Sequence, residues 1–297
     1  MTYQEFKQTI INNISTRLGS DYRVSFQDIM KNNDTHLDGL TILAPGSNIS
    51  PTIYLNYYYD RYLSGKSLSS ILEDIMHSYY KNMPKQNIDI SFFTDFSRVK
   101  ERIIFKLVNY DRNKELLGKV PHVRYLDLAI IFNCFVNCTE EGCATILIHH
   151  HHLSFWNIST EELYSLAMKN TPQLLQYHLQ NMSDVILDLF CDDQSHLSKE
   201  SIPDFPMYVL SNITKLNGSG CILYEDLLSD IAEKLNCDFY ILPSSVHEVL
   251  LIPAESASSH EELSSMVREI NNTQLSREEV LSDRVYFYSR QSGKITL

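Results

Sequence analysis

The sequence predicts an α+β protein in which β-hairpins pack with helices, and three observations carry that prediction. Apolar residues recur at helical spacing in several segments that begin with capping residues. Between them lie short apolar runs broken by turn residues. The last third arranges such elements as β-α-β-β-α-β, a ferredoxin-like arrangement. With 297 residues, 43% apolar and 21% charged, and only 9 glycines and 9 prolines, the chain can bury a sizeable core and is not a disordered one.

The first helix opens at Thr2 and Glu5, three residues apart, the spacing of a capping box. Phe6, Ile10, Ile14 and Leu18 then form one stripe, and Gly19 suits the left-handed position past its end. Tyr22–Phe26 and Leu37–Ile42, joined through Lys31–Asp34, read as a hairpin, and Ala44–Asn48 breaks it. Tyr54, Tyr57, Tyr58, Tyr59 and Tyr62 follow. Such a stretch is either an aromatic ligand platform or, as expected here, an amphipathic segment with rings inside and hydroxyls at the rim. Ser67 caps a helix through Ile71, Ile75 and Tyr79. A longer helix is expected from the spacing of Val99, Ile103, Ile104, Leu107 and Val108, ending near Gly118. Tyr125–Asn137 is almost continuously apolar and reads as a central strand covered on both faces, returning through Ala144–His149.

Ser159 and Glu162 open another helix, expected to stop at Thr171-Pro172, with a further helical stretch over Leu174–Leu189. Met207–Asn212 is a strand, Lys215–Gly220 a turn, and Leu227–Leu235 a helix, with an extra strand allowed at Cys221–Leu223. Phe239–Leu242 and His247–Ile252 are strands joined through Pro243–Val246. Ser259 with Glu262 caps a helix, Ser276 with Glu279 a further turn, and Arg284–Ser289 is the closing strand. The polar stretch Cys191–Pro206 is the best boundary. Three regions are therefore expected: a helix-plus-hairpin region over 1–90, a hairpin-plus-helices region over 91–195 and an α+β domain over 205–297.

The N-terminal residues lack the basic and apolar regions of a signal peptide, and the longest apolar run, Leu126–Val136, is about half of what a membrane helix needs. A cytoplasmic location is expected. Cys134, Cys138, Cys143, Cys191, Cys221 and Cys237 form no CxxC and read as small core residues of a reducing compartment. Against 25 Lys and Arg stand 37 Asp and Glu, a net charge of −12. That balance argues against nucleic-acid partners and against docking on anionic membranes. No Walker A, GxGxxG, HExxH or EF-hand string occurs, so no cofactor is expected.

Three constellations invite chemistry. His149–His152, read as a strand end, would place alternate imidazoles on one face, with Cys134, Cys138 and Cys143 nearby. Two same-face histidines make half a site, so a solvated or partly packed strand end is expected and no metal. Ser244, Ser245, His247 and Glu248 suggest a hydrolase, but all lie in one hairpin turn and no GxSxG elbow exposes a serine. The expected role is a turn anchored by serine hydroxyls and by the His247 imidazole, with recognition at its rim as the alternative. Asp127 in the central strand would need a partner if buried, and Arg124 is the candidate, a structural pair or else one wall of an anion-binding mouth with His122.

Several strings resemble one family. They are Leu40-Thr41-Ile42, Pro51-Thr52-Ile53-Tyr54-Leu55, Asn113–Leu117 with Val120-Pro121-His122, Leu126-Asp127-Leu128, Tyr240–Val249 and Val280–Asp283. Together they resemble DUF5688, a family of unknown function found in gut Firmicutes, over almost the whole chain. The Leu-Pro-Ser-Ser-Val-His-Glu string over 242–248 is the most specific of them. A looser similarity links the hairpin, helix and final hairpin to DUF1444, another uncharacterised family. The resemblance implies fold and compartment, and no activity, cofactor or catalytic residue. His149, His150 and His151 ahead of His152 depart from its pattern.

The expectation is thus a non-enzymatic binding or interaction protein with a protein or small-molecule partner. Its candidate binding residues are Ser244, Ser245, His247, Glu248, His152 and Arg124. The alternative is a hydrolase or other small-molecule enzyme using His247 and Glu248 in an interdomain cleft.

Overall fold

A computed structural model describes residues 1–84, 87, 89, 91–139, 142–191 and 206–297. The chain is α+β. It divides into two compact units, one of residues 1–31 and 35–91, the other of residues 32–34 and 92–297. The polar stretch expected as a boundary lies, over 192–205, outside the described residues.

The first unit begins with α1 (Tyr3–Leu18), where the Glu5 N–H donates to Thr2 Oγ1 at 3.3 Å and the Thr2 N–H to Glu5 Oε2 at 2.8 Å, the expected capping box. β1 (Arg23–Lys31) and β2 (Thr35–Leu43) form the expected hairpin, with Val24 opposite Ile42 and Lys31 opposite Thr35. β3 (Thr52–Tyr54) completes a three-stranded sheet beside β2. α2 (Leu55–Leu63) and α3 (Leu68–Lys81) follow, the latter capped by Ser67 as expected. Phe6, Ile10, Ile14, Leu40, Ile42, Leu55, Ile71 and Ile75 are buried together. Tyr58, Tyr59 and Tyr62 pack against them, so most of the tyrosine-rich stretch serves the core of this unit.

In the second unit the long helix expected from Val99 to Val108 is absent. A short α4 (Phe96–Val99) gives way to β4 (Ile103–Asn109). The pairs 103/107 and 104/108 satisfy helical spacing, but the run is short and rich in β-branched residues, and six of its seven residues are buried, leaving no polar face for a helix. After α5 (Lys114–Leu117), the chain forms β5 (His122–Tyr125) and β6 (Leu128–Thr139). The expected single strand from Tyr125 is therefore a hairpin, with Tyr125 opposite Leu128 and Leu126 at φ 53°. β4 takes one edge of β6 from Leu128 to Cys134. β5 and β7 (Gly142–Leu147) divide the other, at Leu128–Ile131 and Asn133–Thr139.

α6 (His150–Trp156) and α7 (Thr160–Leu174) come next. Ser159 caps α7 as expected, but the helix runs through Pro172 rather than stopping there. It stays because the neighbouring Thr171 is tied into the core: its Oγ1 donates to Ala167 O at 2.6 Å and accepts the Phe105 N–H at 3.0 Å. The rest of the expected helical stretch splits into β8 (Tyr177–Asn181) and α8 (Met182–Cys191).

The last third holds β9 (Tyr208–Asn212), α9 (Leu227–Leu235), β10 (Phe239–Leu242), β11 (Val249–Pro253), α10 (His260–Thr273), β12 (Tyr286–Ser289) and β13 (Lys294–Thr296). Cys221–Leu223, allowed as a strand, is part of a 3-10 turn. The sheet order is β13-β12-β10-β11-β9-β8. A ferredoxin-like sheet sets its fourth strand beside its first. Here β8 already occupies that edge of β9, so β12 joins β10 instead. Phe239, Ile241, Val249, Leu251, Tyr286 and Tyr288 face a core shared with β4 and β6, while Leu242 and Ile252 pack against Leu263 and Val267 of α10.

Thr171→Val keeps the shape of the residue and removes the acceptor of the Phe105 N–H on the strandless edge of β4. The variant is expected to lose about 1–3 kcal/mol of stability, read as a lower urea midpoint at unchanged m-value.

Candidate functional site

The Pro243–Glu248 segment between β10 and β11 is bonded on both sides. On one side, Val246 N–H donates to Glu279 O at 2.9 Å, Leu281 N–H to Ser244 O at 2.7 Å, and Ser282 N–H to Pro243 O at 3.0 Å. On the other, Ser219 donates to Val246 O from its N–H and its hydroxyl, and the Ser211 hydroxyl donates to His247 O at 2.8 Å. Ser244 and Ser245 are buried. The Ser245 hydroxyl accepts from the His247 backbone N–H at 3.0 Å, and the His247 ring donates from Nδ1 to Lys215 O at 3.2 Å. Both side chains therefore serve backbone groups, one local and one 32 residues away. Glu248 is half-buried beside them.

Gly218 shows how close the crossing is. A Cβ there would lie 2.1 Å from Ser211 Oγ and 2.3 Å from His247 O.

His149–His152 do not end a strand. His149 is the N-cap of α6, and its N–H donates to His152 Nδ1 at 3.0 Å. Helical spacing replaces the alternation that would have put imidazoles in pairs on one face. The His152 ring packs against Phe93 and Trp156, with centroids 4.9 and 5.6 Å away. That burial, with His151 and His149 nearby, pushes its pKa down to about 4. Among the described residues no group of three or more His, Cys, Asp or Glu could hold a metal ion.

Arg124 does not pair with Asp127. Its guanidinium lies over the Tyr110 ring at 4.5 Å, where Lys114 also sits at 4.0 Å. Asp127 instead accepts from the Ser282 hydroxyl at 2.7 Å and from the Tyr286 hydroxyl at 2.6 Å. The turn at Leu126-Asp127 reverses the chain, which turns the carboxylate away from its sequence neighbour. No hydrogen bond among the described residues joins His152 or Arg124 to the 244–248 segment.

One open hollow of about 460 Å³ in the second unit brings apolar and charged side chains together. Tyr125, Tyr224 and Tyr288 line it with Leu228 and Ile295. Asp226 and Lys294 also line it, are exposed, and form no ion pair among the described residues. Burial holds the Tyr125 phenol up at about 12 and raises that of Tyr224, so both stay protonated at neutral pH. The Tyr224 hydroxyl is spent on Leu175 O at 2.6 Å. These residues come from β5, the start of α9, β12 and β13, and no local string announces them.

Gly218→Ala is expected to cost about 1–3 kcal/mol, because backbone atoms of two crossing segments must separate, and differential scanning calorimetry would read the drop. For His152 the unfolded imidazole binds protons near pH 6.5 and the folded one only near 4. Stability should therefore fall as pH is lowered through that window. His152→Gln, which keeps an acceptor for the His149 N–H, should flatten that part of the profile in urea midpoints measured at successive pH values.

No curated protein and no solved structure matches the chain. The family of unknown function DUF5688 matches residues 3–290, and the chain belongs to that family.

Proposed function

We propose that this is a non-enzymatic, cytoplasmic binding protein whose ligand is a small molecule held in the tyrosine-lined hollow. The observation that carries the reading is the lining itself. Tyr125 and Ile295 are half-buried over the buried Tyr224, Tyr288 and Leu228, an apolar floor to which Asp226 and Lys294 bring one charge of each sign. An aromatic or aliphatic body with an ammonium and a carboxylate is the complementary chemistry, since each ligand charge finds its opposite and the body leaves water. Nucleic acid and anionic membranes are poor partners for a chain of net charge −12. The hydrolase reading has less support, because Ser245 and the His247 ring are engaged with backbone groups and not with each other.

The test is isothermal titration with phenylalanine and tyrosine, compared with phenethylamine and phenylpropionate, which keep only one of the two charges. Saturable binding by the zwitterions is expected, weakened about tenfold, or 1.4 kcal/mol, by Asp226→Asn or by Lys294→Gln. No saturable binding by any of the four compounds, or binding that both variants leave unchanged, would reject this site.

A further inference from the structure

We propose that Cys138 and Cys143 are a reversible thiol–disulfide couple, a site of exchange with small-molecule disulfides and thiols that locks or frees the outer end of the β6–β7 hairpin. The two residues are direct partners on the ladder, their Cα atoms are 4.0 Å apart, and their sulfurs are bonded. That separation is far inside the roughly 7 Å beyond which two cysteines cannot join without moving the backbone. Both are half-buried, so a small reagent reaches them. Cys134 and Cys221 differ on each count: both are fully buried, and burial pushes their thiols up to about 12. Cys237 is half-buried but free, with no second cysteine bonded to it, so among the described residues dithiol–disulfide exchange falls to the pair.

The position gives the bond a structural consequence. The register of β6 against β7 breaks between Phe135 and Asn137. Beyond that break, among the described residues, the pairs Asn137–Ala144, Cys138–Cys143 and Thr139–Gly142 continue the ladder. The disulfide sits in the middle of the three, so its state sets how firmly this end is held.

The exchange balances without a metal or an enzyme. One cysteine thiolate attacks a sulfur of a small disulfide such as glutathione disulfide, forming a mixed disulfide and expelling one glutathione thiolate. The second cysteine thiolate attacks the protein sulfur of that mixed disulfide, and the second glutathione leaves. Two electrons pass from the protein dithiol to the small disulfide, and the two cysteine protons end on the glutathione thiols. Excess glutathione drives the same steps backwards.

The full chain would be equilibrated in glutathione buffers of stepped ratio, acid-quenched, alkylated and read by peptide mass spectrometry. Amide exchange at Cys138 and Cys143 would be followed in parallel. Both cysteines are expected to change state together along one two-electron curve, approached identically from either side, with amide exchange several-fold slower when oxidised. Cys138→Ser should leave Cys143 unable to close the couple and should abolish the difference in amide exchange, and Cys143→Ser provides the same check if the first variant misfolds. A bond that survives excess reduced thiol without denaturant, glutathione adducts that accumulate without internal closure, or amide exchange that ignores the redox state would each overturn the proposal.

Discussion

The second unit depends on one requirement: β6 is buried along most of its length, so the backbone groups on both of its edges must be paired within the protein. β4 satisfies one edge, and β5 with β7 the other. The unpaired outer edge of β4 is in turn served by the Thr171 hydroxyl, which ties α7 to the sheet. At the start of β6 the Leu126-Asp127 turn carries a carboxylate that holds Ser282 and Tyr286. Tyr286 belongs to β12, so the same turn connects the first sheet of this unit to the second.

Buried polar residues elsewhere follow the same logic. Asn33, at φ 60°, donates to Arg277 O and Val280 O and accepts from Asn113, while Asn109 donates to Leu281 O. Asn170 donates to Lys100 O and Ile103 O, and Ser211 and Ser219 serve the carbonyls of His247 and Val246. These side chains complete loops that have no ladder of their own. Their commitment to backbone groups is why the serines and histidine of the 244–248 string do not assemble a nucleophile and base. The exposed Asp226 and Lys294 and the half-buried Cys138–Cys143 disulfide lie elsewhere.

Local signals were read well where a residue acts on its own helix or turn. Thr2, Ser67, Ser159 and Ser259 cap the helices they were expected to cap, because a cap is an interaction over three residues. The β1–β2 hairpin is legible for the same reason. Ile103–Asn109 is not, since a short, mostly apolar run satisfies helix and strand equally and the pairing with β6 decides between them. His149–His152 misled because the strand before them ends at Leu147, and a polar run carries no mark of whether strand or helix continues. The tyrosine-lined hollow left no trace, since its walls come from separate elements.

By itself, the order of residues determined the α+β class, the capped starts of α1, α3, α7 and α10, the first hairpin and the acidic balance. Each of these follows from composition or from contacts between residues close in the chain. Tertiary structure alone decided which strand pairs with which, where Asp127 finds its partners, and where an unfilled space remains. Those outcomes depend on segments brought together across long stretches of chain, whose meeting is set by the joint satisfaction of burial and hydrogen bonding and is written in no single segment.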